Sequence, residues 1–196
     1  MFVLIEGVDR TGKSTLAAEL QRLTDADVHH FSAPVPGNNA LQEYVEPFLD
    51  YRPGTDRHVV LDRGHIGELV WPRYFGRSSL IDPPTKAAID GFLFQRGALL
   101  VSTWRDKDEI REAVNADGAN QLLTGDEVAE AQNVFARVIL ATDIATIRYE
   151  HGVTEPEMVV LCAKAVESWA EGFTRRIPLD VETRAARAAE RLRHPA

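Results

Sequence analysis

Gly7-Val8-Asp9-Arg10-Thr11-Gly12-Lys13-Ser14 is a complete G-x-x-x-x-G-K-[ST] loop that directly follows the apolar run Phe2-Val3-Leu4-Ile5. Between a strand and a helix, such a loop turns its backbone N–H groups onto nucleotide phosphates, with the positive end of the helix behind them. The glycines allow close approach, Lys13 reaches the β- and γ-phosphate oxygens and Ser14 meets Mg²⁺. The expectation is a chain that moves or splits phosphate.

Outward from the loop, short β-rich runs alternate with helical stretches, the pattern of an α/β protein whose mainly parallel sheet is covered on both faces. Strands are expected at residues 2–6, 28–31, 58–62, 98–103 and 145–149. The first helix starts near Ser14 and carries Leu16, Ala17, Leu20 and Leu23 as one apolar stripe. Pro47 should interrupt a helix over 40–49, and Pro72 should bend or end one over 65–75. Asp82 before Pro83 opens a helix that Gly97 closes. Capping boxes are expected at Thr124/Glu127 and at Thr154/Glu157.

The 196 residues suit one domain over 1–180, followed by an Arg-rich tail, 181–196, read as a helical or flexible solvated segment. A formal net charge of −8 argues against nucleic acid as a partner. The N-terminal apolar run is too short for an export signal and no stretch suits a membrane span, so no membrane partner is expected. One cysteine, Cys162, reads as a small core residue, which fits a cytoplasmic location. Monomer and homodimer both stay open. His29 and His30 face opposite ways in a strand and the other histidines stand apart, so no structural metal is assigned.

A second signal is Val59-Val60-Leu61-Asp62-Arg63, a strand ending in an acid at the carboxyl edge where ligands of parallel sheets bind. Asp62 suits Mg²⁺, directly or through water, and the forked guanidinium of Arg63 suits a phosphate.

The stretch Ile5 to Thr15 resembles the phosphate loop of thymidylate kinases, in particular the subclass with an Asp-Arg pair inside the loop, and Asp62-Arg63 is similar to that family's strand-three motif. The resemblance implies a P-loop NTPase three-layer α/β/α fold with five parallel strands in the order 2-3-1-4-5. It implies ATP and Mg²⁺, with a nucleoside monophosphate as acceptor. Gly7, Arg10, Thr11, Gly12, Lys13, Ser14 and Thr15 would hold ATP, Ser14 and Asp62 the metal, and Asp9 the acceptor's sugar or phosphate. Lys13, Arg10, Arg63 and Asp62 would be the catalytic set, supplying charge for a transfer that needs positioning more than covalent help.

Two features depart from that family. His30-Phe31-Ser32-Ala33-Pro34 stands where the family has an Arg-Phe-Pro acceptor clamp, and the segment before Asp62 is short. Replacements are sought in 64–77: Arg73 or Arg77 for the acceptor phosphate, Glu68 for a sugar or base, and Trp71 or Tyr74 for stacking. Trp71, Tyr74 and Phe75 suit core packing equally well. A lid is expected near 105–125, although Asp106, Asp108 and Glu109 dilute Arg105, Lys107 and Arg111 and favour a solvated helix.

The leading expectation is a deoxynucleoside monophosphate kinase, for dTMP or a broader set. A nucleoside or other small-metabolite kinase is the alternative. An ATPase or regulatory switch fits less well, because no Asn-Lys-x-Asp segment is present and Arg follows Asp62.

Overall fold

The strands are β1 (Phe2–Glu6), β2 (Asp27–His30), β3 (Val59–Asp62), β4 (Ala98–Trp104) and β5 (Ala145–Glu150), apolar in the three central ones and mixed in the edge strands β2 and β5. They form one parallel sheet in the order β2-β3-β1-β4-β5. The computed structural model describes residues 1–35, 37–116 and 122–176; the expected tail and the middle of the expected lid lie outside the described residues.

All five β1 residues are buried, because helices cover both sides of the sheet. On one side Val3, Ile5, Val60, Leu99 and Val101 meet Leu16, Ala17 and Leu20 of α1 (Lys13–Thr24) and Val159 and Ala163 of α7 (Pro156–Arg176). On the other, Phe2, Leu4, Val59, Leu61 and Leu100 meet α2 (Ala40–Tyr44), α3 (His65–Val70), α4 (Pro83–Gln95) and α6 (Gly125–Leu140). The period-two alternation of β1, β3 and β4 thus feeds two separate cores. Trimming Leu20, fully buried, to alanine would cost about 2–5 kcal/mol.

Local chemistry sets the element ends. Asp82 Oδ1 accepts the Thr85 N–H at 2.8 Å to start α4, and Thr124 with Glu127 forms the expected capping box of α6. Pro47 ends α2 early and sits in a 3₁₀ turn, Glu46–Phe48. Pro72 acts likewise in a turn over Trp71–Arg73 that follows α3. Thr154 differs from expectation. α7 begins one residue later than that cap requires, and the Thr154 hydroxyl instead accepts the Glu150 N–H at 3.1 Å.

The strand register positions the site. Ile5 pairs with Asp62, and the Arg63 N–H donates to Ile5 O at 3.0 Å, so the loop after β1 and the Asp62-Arg63 pair emerge side by side.

Candidate active site

The loop between β1 and α1 is held from beneath. Thr11 Oγ1 donates to Val8 O and shares a hydrogen bond with Thr103 Oγ1, both at 2.7 Å, while Thr103 Oγ1 also lies 3.1 Å from Glu6 O. Gly7 is obligatory: its φ is 150°, and a Cβ there would lie 2.3 Å from Thr103 Oγ1. Gly12, at φ 83°, runs beneath the His151 ring, whose Nδ1 would be 2.5 Å from an added Cβ. Arg10 and Arg63, at φ 67° and 73°, hold left-handed backbone conformations that cost a non-glycine residue about 1 kcal/mol or more, and such strain gathers at functional sites.

Lys13 Nζ donates to Val8 O at 2.6 Å and lies 3.5 Å from Asp9 Oδ1. Burial pulls its pKa below the usual lysine value, and the Asp9 charge opposes that fall. Asp9 Oδ1 also accepts from Arg63 Nη2 at 2.8 Å. One carboxylate therefore gathers two cations.

Ser14 Oγ donates to Asp62 Oδ2 at 2.8 Å, and His30 Nδ1 lies 2.9 Å from the same oxygen, with the protonated nitrogen facing the carboxylate. Asp62 Oδ1 is buried with no partner among the described residues. A hydroxyl and a carboxylate with a free oxygen are hard donors that suit Mg²⁺, which favours few protein ligands plus phosphate oxygens. The residues fit that ion.

Two cavities meet at Asp9 and Arg63. One, about 450 Å³, is lined by Asp9, Arg10, Gly12, Lys13, Ser14, Thr15, Arg63, Arg105 and His151. Arg105 is fixed there by donating to Arg10 O at 3.2 Å and to Glu109 at 2.8 Å. Arg111 instead pairs with Asp108 and Asp126, on a helix α5 (Lys107–Ala116) whose Ile110 and Val114 are buried. A Cβ on Gly125 would lie 2.8 Å from Arg111 Cα, so α5 and α6 cross in backbone contact. Of the expected lid cations only Arg105 lines this cavity.

The other cavity, about 520 Å³, is walled by Phe31, Tyr44, Trp71 and Phe75, with Asp9, Arg63, Glu68 and Arg77 as its charged groups. Trp71 belongs both to this wall and to the core, its ring 5.4 Å from that of Phe135. Glu68 is 4% exposed and takes the Arg77 guanidinium on both oxygens at 2.7 Å, plus the Leu80 N–H at 2.9 Å. Burial, with the charges of Glu68 and Glu6, pushes the Tyr44 hydroxyl above its ordinary pKa, so it remains a donor.

Of the residues expected at the acceptor, the structure brings Asp9, Arg63, Glu68, Trp71 and Arg77 to this cavity. Arg73 and Tyr74 do not line it. Tyr74 packs half-buried against the core beside Trp71, while Arg73 is exposed, its Nη2 donating to Tyr74 OH at 2.7 Å and lying 3.9 Å from Glu130. Sequence reasoning missed Phe31, Tyr44 and His151 as lining groups. An aromatic residue just after β2 was the available sign for Phe31; for His151 it was the place directly after β5, at the sheet's carboxyl edge.

No family model matches the chain, and no curated protein matches it in sequence. Among solved structures, it is similar to the YorR protein of Bacillus subtilis in complex with phosphorylated GDP, at 17% identity and a TM-score of 0.65, covering 93% of this chain and 98% of that one. It is also similar to polyphosphate kinase 2 of Arthrobacter aurescens TC1, at 17% identity and a TM-score of 0.57, covering 96% and 75%. With the strand order, these likenesses establish the expected three-layer α/β/α fold, a five-stranded parallel sheet between two layers of helices.

Proposed function

We propose that the chain is a kinase that transfers the γ-phosphoryl group of ATP to a deoxynucleoside 5′-monophosphate, dTMP or a broader set. The observation that carries this reading is the Asp9–Arg63 pair standing between a phosphate-type cavity and an aromatic one. A polar pocket around a G-x-x-x-x-G-K-S loop suits a triphosphate, and an aromatic pocket of about 520 Å³ suits a nucleoside. The nucleotide in the YorR structure and the kinase named in the second likeness agree with that assignment.

In the reaction, the bond between the γ-phosphorus and the β,γ-bridging oxygen breaks as an acceptor phosphate oxygen bonds to the γ-phosphorus in line, and ADP leaves. The acceptor oxygen is already ionised, so no proton must be removed. Lys13, leaving Val8 O, would follow the β- and γ-oxygens. Arg10 and Arg63 neutralise charge spread over the moving group, and Asp9 orients Arg63 between the two substrates. Ser14 and Asp62 would hold Mg²⁺, which supplies charge neutralisation at the triphosphate oxygens. Trp71, Phe31 and Tyr44 exclude water around the acceptor's base, and Arg77, braced by Glu68, presents its remaining N–H groups to it.

One observation favours a second reading, an unphosphorylated nucleoside as acceptor. Both guanidinium groups lining the acceptor cavity already have carboxylate partners, and the segment His30-Phe31-Ser32-Ala33-Pro34 brings no arginine to it. A coupled ADP-release assay with dTMP, dAMP, dGMP, dCMP and UMP, alongside the matching nucleosides, decides between them. Turnover of a monophosphate is expected. Silence with all five, together with turnover of a nucleoside, would install the second reading, and phosphate release without any acceptor would point to an ATPase.

A further inference from the structure

Glu6 ends β1 with its side chain buried, 1% exposed, and no step of the transfer described above uses it. Its Oε1 accepts the N–H groups of Ile66 at 3.0 Å and Gly67 at 3.2 Å, in the first turn of α3. Its Oε2 has no partner among the described residues. Gly67 lines the acceptor cavity, and a Cβ built on it would lie 3.6 Å from Glu6 Oε2 and 3.5 Å from Trp71 Cδ1. The carboxyl therefore lies directly beneath the floor of the acceptor site.

Charged and titratable groups face it from three elements: Lys13 of α1, Arg63 after β3 and the Tyr44 hydroxyl of α2. Burial pushes the Glu6 carboxyl up to about 7, against the lowering effects of the Gly67 and Ile66 N–H groups and of the Lys13 and Arg63 charges. Those two cations are the ones the kinase reading assigns to substrate phosphates.

We propose that Glu6 is a proton-linked positioning residue: it holds the first turn of α3, and with it Trp71, beneath the acceptor, and it takes up a proton when nucleotide phosphates engage Lys13 and Arg63. The proposal rests on the nucleotide-binding reading of the loop. A bound polyphosphate cancels the positive field that keeps Glu6 ionised and brings negative charge close to a buried carboxylate, and both effects favour its protonated form. Since the affinity for a proton rises on binding, the complex carries more protons than the free protein at a pH between the two values. By linkage, nucleotide binds more tightly as pH falls through that window. Protonation at Oε2 leaves Oε1 free to accept from Ile66 and Gly67, so the turn stays in place while the charge disappears.

The test is calorimetric titration of ATP at about pH 8 in buffers of different ionisation enthalpy, comparing wild type with Glu6→Gln. Gln keeps an acceptor oxygen for the α3 turn and cannot titrate. Wild type should take up a sizeable fraction of a proton, roughly half, that Glu6→Gln does not. In turnover, Glu6→Gln should keep the acceptor KM within about twofold while Glu6→Ala raises it about tenfold. ATP binding with equal proton uptake in wild type and Glu6→Gln would overturn the inference alone. Failure of ATP to bind wild type would remove the nucleotide reading with it. If Glu6→Gln does not fold, difference infrared spectroscopy of wild type should show a protonated-carboxyl stretch appearing with ATP, and its absence would overturn the proposal.

Discussion

The two cavities share a wall and little else. The donor side is continuous in sequence: residues 9 to 15 supply six of its nine lining positions, and Arg63, Arg105 and His151 complete it from the ends of β3, β4 and β5. The acceptor side is assembled from segments that meet only in the fold: the loop after β2, α2, α3 with its 3₁₀ turn, and Leu122 ahead of α6. One is fixed by backbone geometry and phosphate chemistry, the other by side-chain packing against a hydrophobic core. Binding of phosphate should therefore tolerate little change in the loop, whereas choice of acceptor should be open to single substitutions in the aromatic wall.

Lys13→Ala tests the donor side most severely. Its loss should lower kcat by about 10³-fold or more with the thermal midpoint little changed, as measured by ADP release and melting, because the cation acts chiefly on charge developing in transfer. Arg63→Ala strikes the shared wall. It should lower kcat/KM for donor and acceptor together by about 10²-fold; an effect on one substrate only would mean that the two pockets work independently.

Trp71→Ala separates them. The acceptor KM should rise about tenfold while the ATP KM holds, at a stability cost of about 3 kcal/mol from the lost packing on Phe135. Unchanged acceptor kinetics would return Trp71 to the core alone. Arg73→Ala should do least: with its guanidinium stacked 4.7 Å from the Tyr74 ring centre and turned from the cavity, stability should change by about 0.5 kcal/mol or less and steady-state constants by less than about twofold.

The same contrast explains what could be read in advance. The phosphate loop, the five strands and the Asp62-Arg63 pair were legible because each is a short contiguous pattern whose physics is local: an apolar run, a turn that requires glycine, a charge at a strand end. Parallel pairing then places Asp62 against Ile5 with no further information. The acceptor wall was legible only in part, since helical spacing alone cannot tell Arg73 from Arg77. The 3₁₀ turn ends at Arg73, and Gly76, at φ 62°, redirects the chain between them, leaving Arg77 on the buried Glu68 and Arg73 in solvent. Phe31 and Tyr44 were hidden for a different reason, because their rings face the cavity through contact with each other, 5.4 Å apart, across a loop. Arg111 stands half-exposed on α5, in keeping with the solvated-helix reading, and does not line the donor cavity. The close approach at Gly125 fixes α5 against α6 and spends that arginine on Asp108 and Asp126.

If donor and acceptor lie end to end across Asp9 and Arg63, a bisubstrate analogue with a polyphosphate bridge joining adenosine to a deoxynucleoside fills both cavities at once. Titrated by calorimetry, it should bind at least about 10²-fold more tightly than ATP or the deoxynucleoside monophosphate alone, and Arg63→Ala should remove most of that gain. An analogue that binds no better than ATP would show that the two cavities are not filled together and that Asp9 and Arg63 do not join a donor to an acceptor.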